Sequence, residues 1–182
     1  MYAGHFAAGL AIKAKRPEAP TWAILLGTGL LDVLFGPLLA AGIERATLTP
    51  GQSPGFRLDF IDWSHSLTMS LVWSTLYALA FFKRGRAVAL TLGLAVFSHF
   101  LLDLPMHPAD LALWPGSAMH LGFGLWHTSY WWWIELGVVL AGCGYYWARA
   151  RSLRTFGAGA PWALLTVVAL HVVNAPWWGS AK

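Results

Sequence analysis

The sequence predicts an all-α fold: a polytopic transmembrane bundle of about five spans plus a short N-terminal helix, forming one integral membrane domain over residues 1–182. Three observations predict it. Charged residues make up only 11% of the chain and apolar ones 57%, with a mean hydropathy of +0.55, whereas soluble domains carry roughly a quarter charged residues. The apolar residues fall in runs long enough to cross a hydrocarbon core, and the basic residues sit in the short connections between those runs.

In chain order, Tyr2–Ile12 is apolar but shorter than the roughly 20 residues a span needs, and reads as a half-helix, a tilted helix or a re-entrant piece. Lys13, Lys15 and Arg16 follow, then Pro17 and Pro20 mark a turn. Thr21–Ile43 is a full-length span with Asp32 at its centre, and Gly36-Pro37 predicts a kink beyond it. Glu44–Ser64 reads as a polar loop. His65–Lys83 and Arg86–Leu104 are spans joined by the basic turn Lys83-Arg84-Gly85-Arg86, and Pro105 is expected to stop the second of them. Met106–His127 is a loop without lysine or arginine, Thr128–Ala148 is a span containing Glu135, and Ala160–Ala175 is a shorter one ending at Pro176-Trp177-Trp178.

Nine of the twelve basic residues fall in the connections at 13–16, 83–86 and 149–154. If each run crosses once, these share a side, and the excess of lysine and arginine makes that side cytoplasmic. Tryptophans agree: Trp22, Trp147 and Trp162 fall at inner ends, and Trp63, Trp114, Trp126, Trp131, Trp177 and Trp178 at outer ends. On this topology all seven histidines fall in the outer half or outside, so the chemistry faces outwards. The pI near 9.5 and net charge of +4 do not point to nucleic acid, because the cations are dispersed along the chain. Cys143 stands alone, which excludes an internal disulfide. No basic segment precedes the first apolar stretch, so a cleavable signal peptide is not expected.

The strongest pair is His99 and Asp103. Four residues apart, they share one helix face, and an imidazole with a carboxylate suits a divalent cation such as zinc. The competing reading is a histidine–aspartate hydrogen bond that stabilises the bundle. Asp62-Trp63-Ser64-His65-Ser66 opens a span; Ser64 or Asp62 reads as its N-cap while His65 points inward as a ligand. Asp32, with no lysine or arginine at its depth, needs a histidine or a metal ion to stay charged, or else remains protonated. His5 lies between small residues that allow close helix approach. Glu135 reads as a ligand, a general base or a proton-relay carboxylate. His107, Asp110, His120 and His127 read as solvated loop residues, and His171 as a core or interfacial histidine.

Gly4-His5, Asp32, Ser64-His65-Ser66, Ser98-His99 with Asp103, and Leu113-Trp114-Pro115 occur in this order over residues 4–115. In this the chain resembles the YdjM-like family of LexA-regulated, inner-membrane, metal-dependent hydrolases. The family pattern Pro-Asp-x-Asp corresponds here to Leu31-Asp32-Val33-Leu34, and His-Arg-Gly-x-Thr-His-Ser to Phe60–Ser66, so one carboxylate, a histidine and an arginine of the pattern are absent. The resemblance implies a divalent-metal-dependent hydrolase. The expected metal ligands are His5, Asp32, His65, His99 and Asp103, with zinc first and manganese second as the ion. Glu135 or Asp62 is the expected general base, and membrane lipid esters or phosphoesters are the substrates suggested by position. The alternative is a non-catalytic accessory subunit of a larger membrane protein complex, packing through tryptophan-rich faces. A transporter using Asp32 and Glu135 is disfavoured by the lack of an inverted repeat.

Overall fold

A computed structural model describes residues 1–50, 55–152 and 159–175. Arg154, Pro176, Trp177, Trp178 and Lys182 lie outside the described residues. The chain is mostly helical, with eight α-helices and four short strands among the described residues. The first helix, α1 (Ala3–Lys15), runs through an alanine-rich stretch and ends on Lys13 and Lys15, whose charges oppose the negative end of the helix dipole. It is not peripheral: α1 packs against α2 (Thr21–Thr28), α6 (Arg86–Met106), α7 (Trp131–Ser152) and α8 (Ala160–Val173). Ala3, Ala7 and Leu10 of α1 join Val139, Cys143 and Val167 in one buried cluster.

Small residues make that approach feasible. A Cβ added at Gly142 of α7 would sit 2.5 Å from the Ala7 carbonyl oxygen. Gly142→Val is therefore expected to destabilise by about 1–3 kcal/mol, read as a lower Tm in detergent; an unchanged Tm would show that α1 and α7 do not meet there.

The run Thr21–Ile43 is broken. Helices α2 and α3 (Leu30–Ala40) meet at a 54° bend, and the break falls at Gly29, which has a non-helical conformation. Pro37 lies inside α3, which continues past it to Ala40; the 54° break comes earlier than the Gly36-Pro37 kink expected from the sequence, at the point where the Thr28 carbonyl is engaged by a histidine ring.

The expected loop Glu44–Ser64 holds a hairpin, β1 (Arg45–Leu48) with β2 (Phe56–Phe60), and the short helix α4 (Asp62–His65). Thr47 Oγ1 donates to Asp59 (2.6 Å) and Arg57 Nε to the same carboxylate (2.7 Å). The Thr47 hydroxyl, then the Arg57 guanidinium, hold the Asp59 carboxyl below its ordinary pKa. A depressed carboxyl stabilises the folded form above its unfolded pKa, and the contribution is lost as pH falls through the folded one. The protection of the hairpin amides, relative to their intrinsic exchange rates at each pH, should fall on acidification below the usual carboxylate range, and less so in Asp59→Asn.

Helix α5 (Leu67–Ala80) starts later than expected. Its N-cap is Ser66, whose hydroxyl accepts from Met69 N, because Ser64 and Asp62 are engaged elsewhere. Helix α6 runs one residue past Pro105 to Met106. A two-residue β-bridge, β3 (Leu111–Ala112) with β4 (His120–Leu121), ties the following loop.

Among the described residues α6 is the one helix long and apolar enough to cross a membrane alone. The bent pair α2–α3 qualifies if it counts as one span, and α5 and α8 are apolar but only 14 residues each. Helix α7 is 22 residues long and includes Glu135, Arg149 and Arg151.

Candidate metal centre

The site is assembled from four helices. His5 comes from the first turn of α1, Asp32 from the first turn of α3, His65 from the end of α4, and His99 and Asp103 from successive turns of α6. Helix α6 supplies two groups because residues four apart stack on one face; the others arrive through packing. Two overlapping sets bring three donor atoms within 4.8 Å of one another: His5, His99 and Asp103, and Asp32, His65 and His99. All five ligands expected from the sequence are thus gathered.

The two Asp103 oxygens are approached from different sides. On Oδ1, the Met1 amino group donates at 2.8 Å and His5 Nε2 lies at 3.1 Å. Near Oδ2, His99 Nε2 lies at 3.0 Å and His107 Nε2 at 3.6 Å. Asp32 Oδ1 is 3.5 Å from His65 Nε2 and 3.7 Å from His99 Nε2, which supplies the histidine neighbours its position demanded. His5 and His99 stack in parallel with ring centres 3.7 Å apart.

The far side of three rings fixes which nitrogen is bare. His99 Nδ1 lies 2.7 Å from the Thr28 carbonyl oxygen; a carbonyl only accepts, so Nδ1 carries the proton and Nε2 of the neutral ring carries a lone pair. The α2–α3 bend places that carbonyl. His107 Nδ1 is 2.9 Å from Asp110 Oδ1, with the same consequence. His65 Nδ1 is 2.6 Å from Ser64 Oγ, whose hydroxyl lies 2.8 and 2.9 Å from the Glu44 carboxylate oxygens. Metal-binding histidines are commonly oriented in this way, the second ring nitrogen donating to a carboxylate, carbonyl or other acceptor.

His99 Nε2 is buried and, despite its closeness to Asp103, has no hydrogen-bond partner, since the carboxylate lies off the line a ring N–H would need. An unpartnered nitrogen beside carboxylate oxygens is what a cation would satisfy. Access is one-sided. The side chains of His5, His65, His99 and Asp103 are at most 5% exposed, whereas Asp32 is 43% exposed. Asp32 is flanked on α3 by the exposed apolar side chains Val33 and Leu39.

The two carboxylates expected as bases lie outside both three-donor sets. Asp62 is buried and accepts from Gly116 N (2.8 Å). Glu135 is buried, accepts from Gly4 N (3.0 Å) and lies 3.9 Å from His171 Nδ1. His171 stacks on Trp132, in keeping with a core role, and His120 and His127 are exposed. Two residues read as solvated belong to the centre's surroundings: His107 is buried against Trp126 and faces Asp103, with Asp110 behind it. The signal was present in the spacing, since 99, 103 and 107 fall at successive fourth positions. Glu44 carried no local signal.

No protein-family model, curated protein or solved structure matches the chain.

Proposed function

We propose that the chain is a membrane-embedded, divalent-metal-dependent hydrolase acting on an ester or phosphoester of a membrane lipid, with zinc or manganese held by His5, Asp32, His65, His99 and Asp103. The observation that carries the proposal is the convergence of these five side chains from four helices, with the Nε2 atoms of His65 and His99 beside carboxylate oxygens and that of His99 without a hydrogen-bond partner. Their chemistry, imidazole nitrogen with carboxylate oxygen, fits either ion. Such an ion supplies a water of lowered pKa and polarises a carbonyl or phosphoryl oxygen. Asp32 guards the open side, the buried histidines exclude bulk water, and Asp62 and Glu135 hold backbone in place around the site.

Membrane embedding is supported by buried ionisable groups within the bundle and exposed apolar side chains on its outside. His5, His99, Asp103, Glu135 and His171 are buried, while Leu79, Leu90, Leu94, Leu101, Leu140 and Leu165 point outwards. Exposed apolar area on this scale marks an interaction surface, and lipid satisfies it along several helices at once. Helix α6 starts at Arg86 and carries Asp103 17 positions later, a rise of roughly 25 Å. If α6 crosses a membrane, that separation supports a centre at the face opposite the basic turn, towards the periplasm by the positive-inside rule.

The test is turnover of phospholipid esters and phosphoesters by the purified protein in mixed micelles, with and without chelator. Turnover that chelator abolishes and zinc or manganese restores is expected. Metal-independent turnover, or none with metal bound, would overturn the hydrolase reading and leave the accessory subunit as its replacement.

A further inference from the structure

Glu44 shares no ligand set with the centre, yet its carboxylate is almost fully buried. Helix α3 ends at Ala40, and Gly42, at φ +70°, takes a left-handed turn that a side chain would oppose. Both Ile43 N and Glu44 N then bond back to the Leu38 carbonyl. This reversal swings Glu44 onto α4, where Oε1 accepts from Ser64 N (2.7 Å) and from Ser64 Oγ (2.8 Å) and Oε2 lies 2.9 Å from the same hydroxyl. Ser64 is itself fully buried.

With Glu44 ionised and the His65 ring neutral, the proton count along this chain has one solution, the Ile61 carbonyl at 3.3 Å from Ser64 Oγ being a more distant acceptor than the Glu44 carboxylate. A carboxylate only accepts, so the single Ser64 hydroxyl proton goes to Glu44. Ser64 Oγ is then an acceptor towards His65 Nδ1, 2.6 Å away, which must donate. That leaves His65 Nε2 unprotonated, facing Asp32. We infer that Glu44 is a positioning residue of the metal centre, selecting through Ser64 the tautomer of His65 that leaves Nε2, the nitrogen facing Asp32, free to bind a metal ion. The same α3 segment thus carries a ligand at its start, Asp32, and the group that sets the partner histidine just past its end. The inference rests on the metal-centre reading for its consequence, though not for the tautomer itself.

The experiment uses the full chain in nanodiscs, labelled with ¹⁵N-histidine, with zinc alone as the titrant. In the wild type His65 should be the Nδ1–H tautomer before zinc and bind zinc through Nε2. In Glu44→Gln the side-chain amide can donate to Ser64 Oγ, whose proton then turns to His65 Nδ1. The ring should switch to Nε2–H, and zinc affinity should fall by roughly 10–100-fold, the usual effect of losing an outer-shell partner. Glu18→Gln, at an exposed position beside Arg16, should change neither readout. If Glu44→Gln fails to fold, Ser64→Ala removes the hydroxyl while leaving Glu44 the backbone N–H, and the same loss of affinity and of the Nδ1–H signature is expected. An unchanged His65 tautomer in a folded variant, or unchanged zinc affinity, would overturn the inference. A wild type that takes up no zinc would sink the metal reading, while the tautomer shift would still decide the role of Glu44.

Discussion

Purified wild-type protein is expected to carry about one equivalent of zinc or manganese, and the His99→Ala/Asp103→Ala variant essentially none. These two residues are chosen because every set passes through them: His99 belongs to both three-donor groups, and Asp103 is approached by His5, His99 and His107. The loss should exceed the roughly 10–100-fold typical of an outer-shell partner, because a donor atom itself is removed. Metal should also stabilise the fold. At a free concentration 100 times Kd, binding to the folded state alone contributes about 2.7 kcal/mol, so chelator should lower the Tm of the wild type and leave the double variant unmoved. Elemental analysis and melting curves check both halves. A folded wild type without metal would mean that the five side chains form a hydrogen-bonded cluster and nothing more.

The second large effect concerns the outer surface of α6. Leu90, Leu94 and Leu101 are more than half exposed, an unfavourable arrangement in water and a favourable one in hydrocarbon. Leu94→Asp should cost roughly 2.5–3.5 kcal/mol of insertion free energy if that face meets lipid near mid-depth. A reduced membrane-integrated fraction on expression, and a lower Tm in nanodiscs, are the expected results. On a water-facing surface the same substitution would be harmless or would improve solubility. Equal integration and equal Tm would therefore remove the main support for membrane embedding.

Much of the centre is legible in the sequence, because an ionisable residue in an apolar run stands out. His99 and Asp103 show their relation through helical spacing, and Asp32 shows a need for a partner through depth alone. What identifies His5 and His65 as their companions is packing across the bundle, which no local pattern encodes. His107 was hidden by Pro105: a proline suggests the helix has ended, whereas the last turn reaches Met106 and keeps His107 in step with Asp103. Glu44 was hidden by its setting, since a carboxylate beginning a polar loop gives no sign that a glycine turn folds it back onto Ser64. In the fold, the runs of apolar residues located the helices, but the 54° break lies at Gly29, before Pro37, which sits inside α3. Proline removes one hydrogen bond and α3 tolerates the loss; the competing acceptor demand of His99 on the Thr28 carbonyl is tertiary and invisible in the sequence.

The path of the chain between His5 and Asp103 has a kinetic consequence. His5 and Asp103 are separated by helices α2 to α5 and a hairpin in the sequence, and closures this long carry an entropic cost that slows the search. The ligand cluster is thus expected to close late in folding, when the first helix docks against its later neighbours. Interactions absent from the folding barrier slow unfolding with little effect on the forward rate. A bound ion would accordingly act as a latch: the protein would assemble at much the same pace with or without it, and come apart far more slowly once it is in place.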